Sequence, residues 1–142
     1  MSLIGIVLMG GKSSRMGVDK SQLLSCLRYN SADGGITSSK GRTQQTDKKL
    51  TMAELAHSKL KCYVDQVYYS INENQKSLGI EHTIIDEHAE EGPLSGIISA
   101  LRATQSSILV LDVGMLLITK KSLKNLIKHR NWDLLTTAWY RE

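Results

Sequence analysis

The chain has 142 residues, enough for one domain with a sizeable core, and its 41% hydrophobic and 23% charged content is that of a soluble globular protein rather than a membrane or disordered one. The net charge of +4 suits an anionic small ligand as well as a nucleic acid. The lysines and arginines are dispersed, apart from pairs such as Lys48-Lys49 and Lys120-Lys121, so no block has the density of a nucleic-acid arm. Cys26 and Cys62 form no CxxC motif. Without a secretory signal they are expected as free thiols in a reducing cytosol, which makes the expected location cytoplasmic.

Leu3 to Met9 (LIGIVLM) is almost wholly apolar. It is too short to span a membrane and lacks the charged start of a signal peptide. It reads as a strand covered on both faces, as in a parallel sheet. Residues 26–47 are polar and rich in glycine and serine, and are expected to form a mobile insertion with Gly34-Gly35 at a turn. A helix is expected near Lys48 to Lys61, with Thr51 and Glu54 at capping-box spacing and Leu55, Ala56, Lys59 and Leu60 on one face. Gln66 to Ile71 (QVYYSI) is a strand by its aromatic and β-branched content. His82 to Ile85 is a short third strand ending at Asp86.

Glu90 to Leu101 (EEGPLSGIISAL) follows. Pro93 suits a first helical turn, and Leu94, Ile97, Ile98 and Leu101 make an apolar stripe. Ser107 to Val113 is another buried strand. Thr119 can cap a helix with the stripe Leu123, Leu126, Ile127 and Arg130. Leu134 to Tyr140 is the last expected strand. Strands and helices alternate, which predicts an α/β domain with a mostly parallel sheet. Ligands of such folds sit at the carboxyl ends of strands. The chemistry-bearing loops here follow three such ends, after Met9, after Ile85 and after Val113.

The loop after the first strand reads GGKSSRMGVDK, from Gly10 to Lys20. Gly10 and Gly11 allow close approach of backbone to a ligand, and successive N–H groups can form an anion-binding concavity. Arg15 offers a planar fork for phosphate oxygens, Lys20 a point charge, and Ser13 and Ser14 hydroxyl donors. Such a set describes a polyphosphate cradle; by composition alone, a solvated basic turn is the other reading. Neither GxxxxGK[ST] nor GxGxxG occurs.

In its ordered spacing this loop closely resembles the GGxSxRMGxDK signature of the MobA-like nucleotidyltransferases, the family of molybdenum cofactor guanylyltransferase. GPLSGIISAL, from Gly92 to Leu101, resembles the family's GPLxG segment, and it follows IIDE in the right order. KGRTQQ, from Lys40 to Gln45, resembles a GKP-like turn that normally comes sooner; an insertion of Cys26 to Ser39 accounts for the delay. The resemblance covers most of the chain outside that insertion.

The resemblance implies a Rossmann-like three-layer sandwich of the nucleotide-diphospho-sugar transferase type. It implies transfer of GMP from GTP to the terminal phosphate of molybdopterin, with loss of pyrophosphate and with Mg²⁺ as cofactor. Carried over by residue, Leu8, Met9 and Gly10 would line the nucleotide with backbone. Gly11, Ser13 and Arg15 would shape the triphosphate loop, and Lys20 would contact phosphates at the reacting centre. Arg15 and Lys20 are thus the expected catalytic pair. Asp86 matches an aspartate that contacts the nucleotide. Ser70 falls where some members carry an asparagine, with Asn72 a nearby substitute.

The family ends its fourth strand in Asp-x-Pro, whose aspartate binds Mg²⁺. In LVLDVGMLLIT, from Leu109 to Thr119, Gly114 takes that aspartate's place and Leu116 the proline's. Asp112 lies two residues earlier on the same side of the strand, about 6–7 Å back. Either Asp112 serves as the metal ligand instead, or it is a strand-end aspartate bonded to a neighbouring loop. Family members also continue past TTAWYRE into a segment that completes the sheet and helps hold the molybdopterin. The expectation is therefore a single domain over 1–142 without that part.

Expected partners are the nucleotide, a molybdopterin-type phosphate acceptor and a molybdoenzyme or cofactor-insertion protein, with neither nucleic acid nor membrane. Three alternatives share the motif: a cytidylyltransferase for the same cofactor, one for a sugar or polyol phosphate, and a non-catalytic nucleotide-binding relative. His57, His82, His88 and His129 lack metal-ligand spacing.

Overall fold

The computed structural model describes residues 2–9, 19–23, 28–29, 36–37, 50–115, 117–131 and 133. The first strand, β1, spans Leu3–Leu8. Two short strands, β2 (Arg28–Tyr29) and β3 (Ile36–Thr37), pair antiparallel within the expected insertion. The rest of 26–47 lies outside the described residues, as does the expected strand Leu134 to Tyr140.

Helix α1 spans Met52–Leu60. The Thr51 hydroxyl accepts from the Glu54 N–H at 3.2 Å, and the Glu54 carboxylate accepts from the Thr51 N–H at 2.8 Å. This reciprocal capping box satisfies two otherwise orphaned donors. Leu55, Ala56, Lys59 and Leu60 are all buried, as the periodicity predicts. Then come β4 (Gln66–Ile71), a 3-10 turn over Glu73–Leu78, β5 (Thr83–Ile85), α2 (Pro93–Thr104), β6 (Ser107–Asp112) and α3 (Lys120–Lys128). Thr119 caps α3, its hydroxyl accepting from the Ser122 N–H at 3.1 Å.

The main sheet has the order β5-β4-β1-β6, and every pair in it is parallel. Chain order runs outward from β1 through β4 to β5, then returns through α2 to place β6 on the other side of β1. The direction reverses at β1 and β6, which creates a crevice at their carboxyl ends. Side chains alternate between the two faces. One face carries Val7, Met9, Val67, Ile71, Leu109, Leu111 and Val113 against α1 and Leu123 of α3. The other carries Ile4, Ile6 and Leu8, with Tyr68, Ile84, Ile108 and Val110, against Ala100 and Ile97 of α2. This is a three-layer α/β arrangement. Gly5 fits the apolar run because a Cβ there would stand 2.9 Å from Val64 Cγ2. The chain leaving α1 needs that space.

Helix α2 forms where expected, with Pro93 in its first turn, but of its apolar stripe only Ile97 packs on the sheet. Leu94, Ile98 and Leu101 are 63%, 41% and 44% exposed, while Ser95, Gly96 and Ala100 are buried. The helix approaches the sheet so closely that only small residues fit beneath it. A Cβ on Gly96 would stand 2.9 Å from Ser70 Oγ and 3.2 Å from Leu8 Cδ2.

Candidate functional site

The strand ends meet at one level. Leu8 pairs with Ser70 on one side and with Asp112 on the other. Ser70 pairs with Ile84, two residues before Asp86. Paired residues in a parallel sheet, and residues two apart along a strand, point to the same face. Leu8, Ser70, Asp86 and Asp112 therefore share the α2 face at the carboxyl end of the sheet. Four sequence-predicted residues thus form one row across the sheet, with Asp86 and Asp112 at its two ends. Met9, next in line, is buried on the opposite face. Its N–H donates to the Ser70 carbonyl at 3.0 Å.

Asp86 is buried. Its N–H extends the ladder to the Ile71 carbonyl at 2.7 Å. Its Oδ1 accepts from the His88 N–H at 3.0 Å and from the Ser95 hydroxyl. These donors offset the desolvation of a buried carboxylate. Its Oδ2 lies on the Gly96 side, 3.4 Å from where a Cβ there would stand. Ser70 is buried against the same spot. The first turn of α2 thus meets both side chains, and it has no side-chain cap of its own. Asn72 is committed elsewhere, for its Oδ1 accepts from the Gln75 N–H at 3.0 Å.

Asp112 is exposed at the end of β6. Its Oδ1 accepts from the Gly114 N–H at 2.7 Å, and its carbonyl accepts from the Met115 N–H at 3.0 Å. The same Oδ1 lies 2.9 Å from the position a Cβ on residue 114 would take. The carboxylate therefore reaches forward over the two-residue gap into the space where a side chain at 114 would begin. The glycine makes room for it.

Lys20 is exposed and opens a 3-10 turn over Lys20–Gln22. Gly10, Gly11, Ser13 and Arg15 lie outside the described residues, as does Leu116. Sequence reasoning missed two buried polar side chains. Ser95 sits inside the quoted GPLSG segment without a role there. Gln75 donates to the Met9 carbonyl and to Asp19. Its signal was the Asn72-x-x-Gln75 spacing of a capping box at the end of β4, which the fold bears out.

Among the described residues no cluster of three or more His, Cys, Asp or Glu side chains is poised to hold a metal by itself. A hard divalent cation bound mainly by phosphate oxygens needs only one or two carboxylates. The exposed Asp112 carboxylate is a donor of that kind by itself; Asp86 is buried at the opposite edge of the sheet, with β4 and β1 between them. Among the described residues no helix is long and apolar enough to cross a membrane. Cys62 is a free, exposed thiol.

The sequence matches the family model described as "MobA-like NTP transferase domain" over residues 5–141. The chain belongs to that family. A relative in Synechocystis sp. (strain ATCC 27184 / PCC 6803 / Kazusa), described as "Molybdenum cofactor biosynthesis bifunctional protein", is 27% identical over 141 residues. That alignment covers 96% of this chain and 34% of the relative, so the chain spans about a third of the relative's length. The parallel sheet with helices on both faces is the architecture expected of this NTP transferase domain.

Proposed function

We propose that this domain transfers GMP from GTP to the terminal phosphate of molybdopterin, releasing pyrophosphate and forming a guanine dinucleotide cofactor. The observation that carries the reading is the row of Leu8, Ser70, Asp86 and Asp112 along one face at the carboxyl ends of the strands, the first of which leads in sequence into GGKSSRMGVDK. Family membership and the name of the Synechocystis relative support it.

In this reading the Leu8, Met9 and Gly10 backbone lines the nucleotide, and Ser70 and Asp86 contact it from β4 and β5. Gly11, Ser13, Arg15 and Lys20 hold the triphosphate. An oxygen of the acceptor phosphate attacks the α-phosphorus. The bond from that phosphorus to the bridging α–β oxygen breaks, and pyrophosphate departs with the electron pair. No covalent enzyme intermediate is required. The residues align two polyanions and offset their charge with Arg15 and Lys20. Asp112 would hold Mg²⁺, which when bound neutralises charge on the triphosphate and its leaving group. The acceptor, and a molybdoenzyme or insertion protein that receives the product, belong to the same proposal.

Calorimetric titration with GTP and CTP, each with and without Mg²⁺, tests this, followed by pyrophosphate release with acceptor supplied. The expected result is Mg²⁺-dependent GTP binding that Asp112→Ala abolishes. A preference for CTP would reassign the transferred group to CMP. Binding indifferent to Mg²⁺, with no pyrophosphate released, would identify a non-catalytic nucleotide binder. Gly114 in the place of the family's metal aspartate is the observation that favours this second reading.

A further inference from the structure

Gln75 is 7% exposed, and its side-chain amide is fully engaged. Oε1 accepts from the Asn72 N–H at 3.1 Å. Nε2 carries two hydrogens, directed to the Met9 carbonyl at 3.3 Å and to Asp19 Oδ2 at 2.6 Å. The opposite amide orientation would set an acceptor against two acceptors. Met9 and Asp19 bracket residues 10–18. One side chain from the end of β4 therefore joins the residue that leads into that stretch to the residue that leads out.

Asp19 passes the link on. Its Oδ1 accepts from the Ser21 N–H at 2.9 Å and the Ser21 hydroxyl at 2.7 Å, which winds the turn that begins at Lys20. The turn is itself tied to α1, where the Met52 N–H donates to the Leu23 carbonyl at 2.9 Å. Burial works against the Asp19 charge, but the hydrogen bonds from Gln75 and Ser21 outweigh it and hold its pKa below the usual value. An ionised carboxylate next to a polyanion site would repel the ligand. Here its lone pairs are turned onto protein donors.

We propose that Gln75 is a positioning residue for phosphate binding: by holding Met9 and Asp19 together it sets Lys20 against the backbone that lines the nucleotide. The inference rests on the nucleotide site proposed above. It predicts that affinity follows the Gln75–Asp19 bond rather than bulk stability.

The test is a titration of the full chain with Mg²⁺–GTP and Mg²⁺–CTP at pH 5 and pH 8, with urea midpoints recorded alongside. Gln75→Met should weaken binding of the preferred nucleotide about tenfold to hundredfold, the loss expected for one hydrogen bond to a charged group. Gln75→Glu sets two carboxylates face to face, so its deficit relative to wild type should be larger at pH 8 than at pH 5, where the pair can share a proton. In Asp19→Asn/Gln75→Glu the new amide at 19 donates to the new carboxylate at 75. That pair rebuilds the link to residue 19 without the bond to the Met9 carbonyl, so it should recover part of the affinity lost by Gln75→Glu at pH 8, and it decides the matter if Gln75→Met fails to fold. Folded Gln75 variants that bind as wild type does, at both pH values, would overturn the positioning role and leave the nucleotide site standing. Absence of binding by wild type to either nucleotide would overturn both.

Discussion

Ser95, in the first turn of α2, donates its hydroxyl to Oδ1 of Asp86 at the end of β5, and both side chains are buried. The bond ties the helix to the carboxyl end of that strand. It also makes the serine of GPLSG part of the fold's polar interior, where an alanine would leave Asp86 Oδ1 with the His88 N–H alone. Ser95→Ala should lower unfolding free energy by about 1.5–3 kcal/mol, as expected for a buried hydrogen bond to a charged group. Urea unfolding measures it, and an unchanged midpoint would refute it.

Gly96→Ala tests the close approach of α2. Alanine favours an isolated helix over glycine by about 1 kcal/mol. Against that, the added methyl would lie 2.9 Å from Ser70 Oγ and 3.2 Å from Leu8 Cδ2. Overpacking of this kind costs about 1–3 kcal/mol, so a net loss of stability is expected. Ser70→Gly in the same chain removes the nearer contact. The two changes together should be less harmful than their sum, by about 0.5 kcal/mol or more.

Asp112 and Gly114 lend themselves to an exchange experiment. Asp112→Asn should weaken Mg²⁺-dependent nucleotide binding by at least the roughly tenfold to hundredfold that outer partners of a metal site cost. Gly114→Asp alone should not improve binding, because its Cβ would press on Asp112 Oδ1 at 2.9 Å. Combined with Asp112→Ala, which removes the atom it would press on, it supplies a carboxylate at the family's position and should restore part of the loss. Equal Mg²⁺ dependence in all three variants would show that neither position holds the ion.

His57 stacks on Tyr69 with ring centroids 5.5 Å apart and planes inclined by 18°. Burial, followed by the charges of Lys61 and His82, lowers its pKa below 6.5. The unfolded chain then binds a proton at a pH where the folded chain does not. Stability from this site is full above 6.5 and is lost as pH falls from there toward the lower folded value. His57→Phe keeps an aromatic ring and removes the titration. Its urea midpoint should therefore gain on wild type as pH drops from 7 to 5, and a constant difference would refute the assignment. The lowered pKa of Asp19 gives a loss of the same sign further down, below 3.8.

Much of this protein can be read along one dimension. LIGIVLM and SILVLDV are apolar runs without alternation, and they became the strands at the centre and one edge of a parallel sheet covered on both faces. The Thr51 and Glu54 spacing encodes a cap made within one turn of helix, so sequence distance and spatial distance coincide. The GPLSG segment is a local motif for the same reason, since it opens α2.

What sequence could not decide are the contacts between elements far apart in the chain. The apolar stripe of α2 predicts the helix, yet only Ile97 of it packs on the sheet. Only the packed structure reveals that Ser70 and Asp86 lie close beneath Gly96, so that small residues must point inward. Gln75 looks like one more polar residue after a strand until β4 pairs with β1 and brings its amide to Met9 and Asp19. Asp112 is two residues from Gly114 in sequence, yet its Oδ1 lies 2.9 Å from where a Cβ at 114 would stand and accepts from the Gly114 N–H. Local periodicity and motif spacing determine which elements form, since neighbours along the chain make those bonds. The sheet register decides which polar groups meet, since it alone brings the ends of four strands to one level.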